Sequence, residues 1–150
     1  MKTTIRSTLK NHLLLLAESS WSMIGYFIDE QRHKIPVQGR WQVEDLGDSL
    51  SIEIRLYKED KTLILERLCV VLPESQLFNN WSEQRTPYGD FEGHIHAVED
   101  TLLLQLESTQ KIRSVEAFLK VFETEYELRG TMLEGDRQLG SWVLELLRLN

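Results

Sequence analysis

Two histidines separated by a single residue form the segment His94-Ile95-His96. In a β-strand, side chains two positions apart project from the same face, so both imidazoles could reach one metal ion or one ligand. Asp90, Glu92 and Glu99 lie nearby in sequence and could complete a ligand set, whereas a haem would need only one axial histidine. The alternative is that both histidines lie on a solvated face. The sequence does not decide which face of this strand is buried.

Arginines within apolar-rich segments are candidates for binding the acidic group of a ligand, because a guanidinium can hold a carboxylate through two parallel hydrogen bonds. Arg67 is one such candidate, since its neighbours on the same side of the predicted strand, among them Leu65 and Cys69, are apolar. Arg148 is a second candidate. The alternative for both is partial burial against a structural acidic partner. Arg55 alternates with apolar residues and is therefore assigned to solvent.

Aromatic residues could form the wall of an apolar pocket. We predict that Trp41, Tyr126 and Trp142 contribute to such a wall, although aromatic residues at strand spacing are more often plain core. Residues 78–89 form a long segment that is both polar and aromatic. We interpret it as a loop at the mouth of the fold, which would serve as a lid, as a partner surface or as an ordinary connection.

The motifs of common enzyme classes are missing from the sequence. It contains no Gly-x-Ser-x-Gly, no phosphate-binding glycine loop and no Cys-x-x-Cys, and its acidic residues are assigned to outward faces instead of a pair in an apolar setting. Hydrolases and dehydrogenases are therefore disfavoured. We predict no catalytic residue and no metal ligand set, and the identity of any cofactor stays open.

Length, composition and charge restrict the class of protein further. The chain has 150 residues and a mass of 17.6 kDa, with 41% apolar and 27% charged residues. These values predict one globular domain over residues 1–150. The 24 acidic and 17 basic residues give a formal charge of −7, which disfavours nucleic acid as a partner because phosphate binding requires clustered basic side chains.

Cysteine usage and hydropathy predict a cytoplasmic protein. Cys69 is the single cysteine, so no intrachain disulfide can form, and its apolar surroundings indicate a thiol in a reducing compartment. The apolar stretch 13–17 is too short for a signal core, and no stretch approaches the roughly 20 apolar residues of a membrane span. Homo-oligomerisation is left open.

One helix and a series of strands would position these residues. Ile5, Leu9, Leu13 and Leu16 recur at helical spacing and predict an amphipathic N-terminal helix within residues 1–18.

From residue 21 onwards, alternating apolar and polar residues between turn signals predict strands. The clearest is 50–57, in which the even-numbered residues are apolar. Residues 114–122 carry apolar side chains at helical spacing and are predicted to form a short helix. The predicted strands cover residues 21–29, 37–45, 50–57, 62–72, 90–98, 101–106, 123–132 and 138–147.

A run of so many consecutive strands favours closure, because an open sheet would leave two exposed edges. The sequence therefore predicts a mainly β fold, an antiparallel up-and-down barrel of roughly eight to ten strands over residues 21–150. A barrel of this size can hold one small ligand, or its own side chains can fill it. Both interiors stay open at this point.

This layout resembles the calycin group, which comprises lipocalins, fatty-acid-binding proteins and related small bacterial barrels. In that group the first strand opens with Gly-x-Trp, and the tryptophan stacks on a basic residue near the end of the barrel. Here Trp21 opens the first strand, Ser19 stands in the position of the glycine, and Arg148 is the basic candidate. The resemblance implies transport, storage or sequestration of a small apolar molecule. Related barrels also bind haem or assist in attaching bilin chromophores.

We therefore predict a barrel that binds or sequesters a small hydrophobic or amphipathic ligand, with one end closed by the N-terminal helix. One alternative is haem or other tetrapyrrole handling, either binding through His94 or His96 or a lyase-like role. Another is a protein-interaction module with a packed core. The candidate ligand contacts are Trp41, Arg67, His94, His96, Tyr126, Trp142 and Arg148.

Overall fold

Ten antiparallel strands form a closed barrel in the computed structural model of the protein, which describes residues 12–15, 18–73 and 79–149. The strands are β1 (Ser20–Ile28), β2 (Lys34–Asp45), β3 (Leu50–Lys58), β4 (Leu63–Pro73), β5 (Asn79–Thr86), β6 (Gly89–Val98), β7 (Thr101–Ser108), β8 (Ile112–Phe122), β9 (Glu125–Glu134) and β10 (Arg137–Arg148). Each strand pairs with its neighbours in sequence, and β1 also pairs with β10, which closes the sheet. The predicted antiparallel barrel is confirmed, with ten strands.

Period-two alternation determines which side chains enter the barrel. In β3, Leu50, Ile52, Ile54 and Leu56 are buried, while the residues between them are partly exposed. This is the pattern expected of a strand with one buried face. The turn signals in the sequence separate strands as expected; Gly135 and Asp136, for example, connect β9 to β10.

Two strands were not predicted, and both carry charged side chains on the inward face. In β5 the buried positions include Glu83 and Arg85. Because these inward residues are charged, the segment 78–89 was predicted to be a polar loop, whereas residues 79–86 form a strand. In β8 the buried positions include Ser114 and Glu116. The predicted helix at 114–122 is therefore wrong, because these residues belong to β8. The apolar residues that recur at helical spacing include both buried and exposed residues of this strand.

The two ends of the barrel differ. The connections β2–β3, β4–β5, β6–β7 and β8–β9 lie at one end, together with residues 12–15, and we call this the covered end. The connections β1–β2, β3–β4, β5–β6, β7–β8 and β9–β10 lie at the other, which we call the turn end.

Residues 12–15 pack onto the covered end. They contain one turn of 3-10 helix, Leu13–Leu15, and the indole Nε1 of Trp41 donates a hydrogen bond to the Leu14 carbonyl at 3.2 Å. Leu14 and Leu15 are fully buried. The predicted N-terminal helix also includes residues 1–11 and 16–17, which lie outside the described residues, and no α-helix occurs among the residues that are described. No helix in this part of the chain is long and apolar enough to cross a membrane.

Candidate ligand site inside the barrel

A cluster of four charged side chains occupies the interior toward the turn end. Arg67 on β4, Glu83 and Arg85 on β5, and Glu116 on β8 all point inward and are almost completely buried. We call these four residues the buried ion-pair network. Their formal charges sum to zero, which limits the desolvation cost of burying them.

Each guanidinium nitrogen of Arg67 donates a hydrogen bond to Glu83 or Glu116. Its Nε and Nη2 atoms donate to the two carboxylate oxygens of Glu83, each at 2.9 Å. Nη1 and Nη2 donate to Glu116 at 2.8 and 2.6 Å. Both pairs have the two-pronged geometry that makes arginine–carboxylate pairs strong. Arg67 is therefore buried against acidic partners, which was the alternative to a ligand contact.

Arg85 is only partly satisfied. Its Nε donates to Glu83 at 2.6 Å, and its Nη1 donates to the hydroxyl of Ser114 at 2.8 Å. Nη2 is buried and has no hydrogen-bond partner among the described residues, and Glu116 Oε1 lies 3.8 Å from it. A buried N–H group without an acceptor costs about 1–3 kcal/mol. Nη2 is thus a guanidinium nitrogen of Arg85 that could still donate to an acceptor inside the barrel.

Two tryptophans donate hydrogen bonds to the carboxylates. The indole Nε1 of Trp81 donates to Glu83 at 2.9 Å, and that of Trp142 donates to Glu116 at 3.0 Å. Trp142 reaches Glu116 across β9 at Gly130, where a Cβ would collide with the indole ring. The network is thereby oriented by aromatic donors that are themselves fully buried.

Charge pairing favours the ionised forms of Glu83 and Arg67. Burial alone would raise the pKa of Glu83, but Arg67 and Arg85 hold the pKa of that carboxyl well below its usual range. Burial alone would lower the pKa of Arg67, but Glu116 and Glu83 raise it well above its usual range. Removal of one member of the buried ion-pair network would leave an uncompensated buried charge, which is strongly destabilising.

Cys69 lies beside the buried ion-pair network, and its thiol is expected to be unreactive. Its Sγ is 3.6 Å from Glu83 Oε1, to which the thiol donates. Burial raises the pKa of the Cys69 thiol well above its usual range, and Glu83 adds to this shift. The thiol therefore stays protonated, and a protonated thiol is a poor nucleophile.

The surroundings of Arg85 are aromatic. Its guanidinium lies 4.5 Å from the ring centroid of Phe91 and 5.8 Å from that of Trp142. Trp142 stacks parallel on Phe27, with 6.2 Å between ring centroids. Tyr88, half-buried in the β5–β6 turn, donates its backbone N–H to the Arg85 carbonyl and packs against the core. Two aromatic rings, those of Phe91 and Trp142, thus lie close to the Arg85 guanidinium near the turn end.

The covered half of the interior holds a different arrangement. His12 Nε2 donates to the carbonyl of Glu99 at 2.8 Å, so its Nδ1 accepts the hydroxyl proton of Tyr126, at 2.7 Å. Tyr126 packs edge-on against Trp21. Burial raises the pKa of Tyr126 above its usual range. Both nitrogens of this interior histidine are therefore occupied.

The predicted site residues divide between these regions. Arg67 and Trp142 meet through Glu116 in the network, whereas Trp41 and Tyr126 lie in the covered half. Arg148 is directly opposite Trp21 in the β1–β10 register, at the covered end. The Nε atom of Arg148 and the Nε1 atom of Trp21 are both buried, and neither has a hydrogen-bond partner in the part of the chain that the structure describes.

His94 and His96 project from the outer face of β6, because Phe91 and Ile95 on the same strand point inward. His94 Nδ1 lies 3.0 Å from Asn80 Oδ1 on the neighbouring strand. Among the described residues, no group of three or more His, Cys, Asp or Glu side chains could hold a metal ion.

Sequence reasoning missed the inward residues of β5. Asn79, Trp81, Glu83 and Arg85 alternate strictly with exposed or half-exposed residues. Asn79 is fully buried, and neither polar atom of its amide has a hydrogen-bond partner within residues 12–15, 18–73 and 79–149. Trp81 lies two and four residues before Glu83 and Arg85, and this alternation was the available signal for a strand. It is not visible as a hydrophobic pattern, because two of the inward residues are charged and charged residues are seldom fully buried.

A shallow depression also runs along the outer face of β5, and we call it the outer trough. Leu68, Val70 and Leu72 of β4 form an apolar wall on one side. Asp90 and Glu92 of β6 form an acidic wall on the other. Its two parts have volumes of about 540 and 350 Å³.

Comparison with known proteins identifies a related fold. No family model and no curated protein matches the chain. The crystal structure of Rv2717c from M. tuberculosis is similar to it over 98% of this chain and 100% of that chain, with a TM-score of 0.72 and 12% sequence identity. At this identity the similarity concerns the fold alone and is consistent with a small barrel.

Proposed function

We propose that the barrel binds one small amphipathic ligand near the turn end, with its polar group on Arg85. The observation that supports this proposal is the buried, unpartnered Nη2 atom of Arg85 among aromatic rings. Binding sites for small molecules are mostly apolar, with a few polar groups that fix the orientation of the ligand. Phe91 and Trp142 would contact the apolar body, and Arg85 would bind the polar group.

The position within the barrel also favours Arg85 over the other arginines. Each guanidinium nitrogen of Arg67 already donates to a carboxylate, and Arg148 lies at the covered end. Arg85 is the last inward residue of β5 before the β5–β6 turn. A ligand would therefore enter through the turn end and displace the side chains that close it. Sequestration by a calycin-like barrel, with Trp21 opposite Arg148, belongs to the same proposal.

A fluorescent apolar dye tests this proposal. We expect wild-type protein to take up one equivalent of the dye. Arg85→Met, with its fold checked by circular dichroism, should take up much less, because the substitution removes the polar anchor. Arg55→Met is the matched control, since Arg55 is an arginine of the outer wall that pairs with Glu53 and Glu66. Absence of uptake by folded wild-type protein would contradict the proposal.

Tetrapyrrole handling receives no support from the interior. His94 and His96 lie on the outer wall, and the nitrogens of His12 are both engaged. Titration of the protein with haem, followed by absorbance, tests this alternative. A spectral change that disappears in His94→Ala or His96→Ala would favour it.

The outer trough favours a second candidate function, the docking of a basic amphipathic segment of another protein. Its apolar wall fits the apolar face of such a segment, and its acidic wall complements lysine or arginine side chains. We expect a Leu/Lys helical peptide to bind wild-type protein and to bind Val70→Asp and Glu92→Lys more weakly, measured by fluorescence anisotropy. Val115→Asp on β8 is the control, and equal binding by all variants would contradict this candidate.

A further inference from the structure

We infer that the ligand bound at Arg85 carries an uncharged oxygen acceptor, such as an amide, ketone or ester carbonyl, and not a carboxylate or phosphate. This inference rests on the proposed function and specifies its ligand class. It differs from the expectation that an interior arginine binds an acidic group, and it follows from the charges and hydrogen bonds around Arg85.

The charge balance is the first argument. The two guanidinium groups of the buried ion-pair network already face two carboxylates, so the positive charge of Arg85 is neutralised before any ligand arrives. An anion beside Arg85 Nη2 would also approach Glu116 Oε1, which is 3.8 Å from that nitrogen. Placing like charges together at a buried position is strongly unfavourable. A neutral oxygen avoids this repulsion.

The hydrogen bonds that Arg85 already makes are the second argument. Arginine binds a carboxylate most strongly through two parallel N–H···O hydrogen bonds. In Arg85, Nε donates to Glu83 and Nη1 donates to Ser114, so the two-pronged Nε–Nη2 geometry is not open to a ligand carboxylate. Nη2, which has no acceptor among the described residues, can donate to a single carbonyl oxygen. A cationic group, which has no acceptor, gains nothing there.

The aromatic surroundings are the third argument. Phe91 lies against one face of the guanidinium, and Trp142, stacked on Phe27, lies nearby. These rings favour an apolar body next to the polar atom, since apolar burial supplies most of the binding free energy in such sites. The inferred ligand is therefore an apolar molecule with a carbonyl oxygen at or near one end.

A matched pair of ligands tests the inference on the full chain. Decanamide and decanoate have the same hydrocarbon tail and differ in the charge of the polar end. We expect decanamide to bind at least about tenfold more tightly at neutral pH, measured by calorimetry and by quenching of tryptophan fluorescence. Equal or tighter binding of decanoate would overturn the inference while leaving ligand binding itself intact. Binding of neither ligand, together with no uptake of the apolar dye, would overturn the proposed function as well.

Two substitutions sharpen the test. Glu116→Gln removes one negative charge while keeping the size of the side chain, so the preference for decanamide should shrink at least tenfold or reverse. Glu66→Gln, on the outer wall, is the control and should leave the preference unchanged. Arg85→Met should weaken decanamide binding, with the fold checked by circular dichroism. An unchanged preference in folded Glu116→Gln protein would count against the charge-balance argument.

Discussion

Glu83 is the residue on which the interior network depends most directly. Its carboxylate accepts hydrogen bonds from Arg67, Arg85, Trp81 and Cys69. Four donors from two neighbouring strands thus converge on one side chain. Removing its charge would leave two buried guanidinium groups with a single carboxylate, and such incomplete networks are more costly than either a complete network or an apolar core.

We expect Glu83→Gln to lower the free energy of unfolding by about 3–5 kcal/mol, the usual cost of breaking a buried ion pair. Urea denaturation followed by tryptophan fluorescence measures this change. Glu66→Gln is the matched control, because Glu66 pairs with Arg55 on the solvent side, where an ion pair contributes about 0–1 kcal/mol. Similar losses for the two variants would mean that the interior network contributes no more than a surface pair.

At the scale of elements, residues 12–15 act as a cover that is held to the barrel by His12. The histidine bonds to the β6–β7 turn through Glu99 and to β9 through Tyr126, and Leu14 accepts the Trp41 indole proton of β2. Burial lowers the pKa of His12 from 6.5, and Lys120 acts in the same direction. The carbonyl of Glu99 and the charges of Asp100 and Glu123 oppose the shift.

This arrangement predicts a pH-dependent stability. Below pH 6.5 the unfolded chain binds a proton at His12 more readily than the folded protein does, so the unfolding free energy should fall as the pH decreases from 6.5. His12→Gln should flatten this part of the curve, measured by denaturation between about pH 5 and 8. His94→Gln, on the outer wall, should keep the wild-type slope. An identical slope in the His12 variant would show that another group causes the dependence.

At the scale of the whole molecule, closure depends on the pairing of the first and last strands. The β1–β10 register extends over eight residue pairs, from Trp21 opposite Arg148 to Ile28 opposite Ser141. Gly25 lies in the middle of this register, where a Cβ would collide with the Val143 carbonyl and approach Leu144 Cα at 2.9 Å. Because both contacts are with backbone, no side-chain rotation can relieve them.

We therefore expect Gly25→Ala to separate the two strands locally and to lower the unfolding free energy by about 1–3 kcal/mol. Urea denaturation measures the loss, and hydrogen exchange should locate it on β1 and β10. Ile24→Ala is the control on the same strand, since Ile24 faces solvent and its truncation should change stability by less than about 0.5 kcal/mol. Equal effects of the two variants would contradict this account of closure.

The amino-acid sequence by itself determined the mainly β architecture, because alternation such as that of Leu50 to Leu56 is local and needs only the period of a strand. It also determined most of the strands and turns. It did not determine β5 and β8, since a strand whose inward face carries charge lacks the apolar alternation by which strands are recognised. The outward direction of His94 and His96 likewise depends on which face the closed barrel buries.

Only the tertiary structure brought the site together. Arg67 and Glu116 are 49 residues apart in the chain and lie on β4 and β8, and no local pattern links them. The desolvation cost of burying them is offset because closure places opposite charges and indole donors within hydrogen-bonding distance. The sequence shows which residues each strand contains. The charge balance around Arg85 depends on Glu83 and Glu116, and Glu116 approaches Arg85 only because β5 and β8 face each other inside the closed barrel.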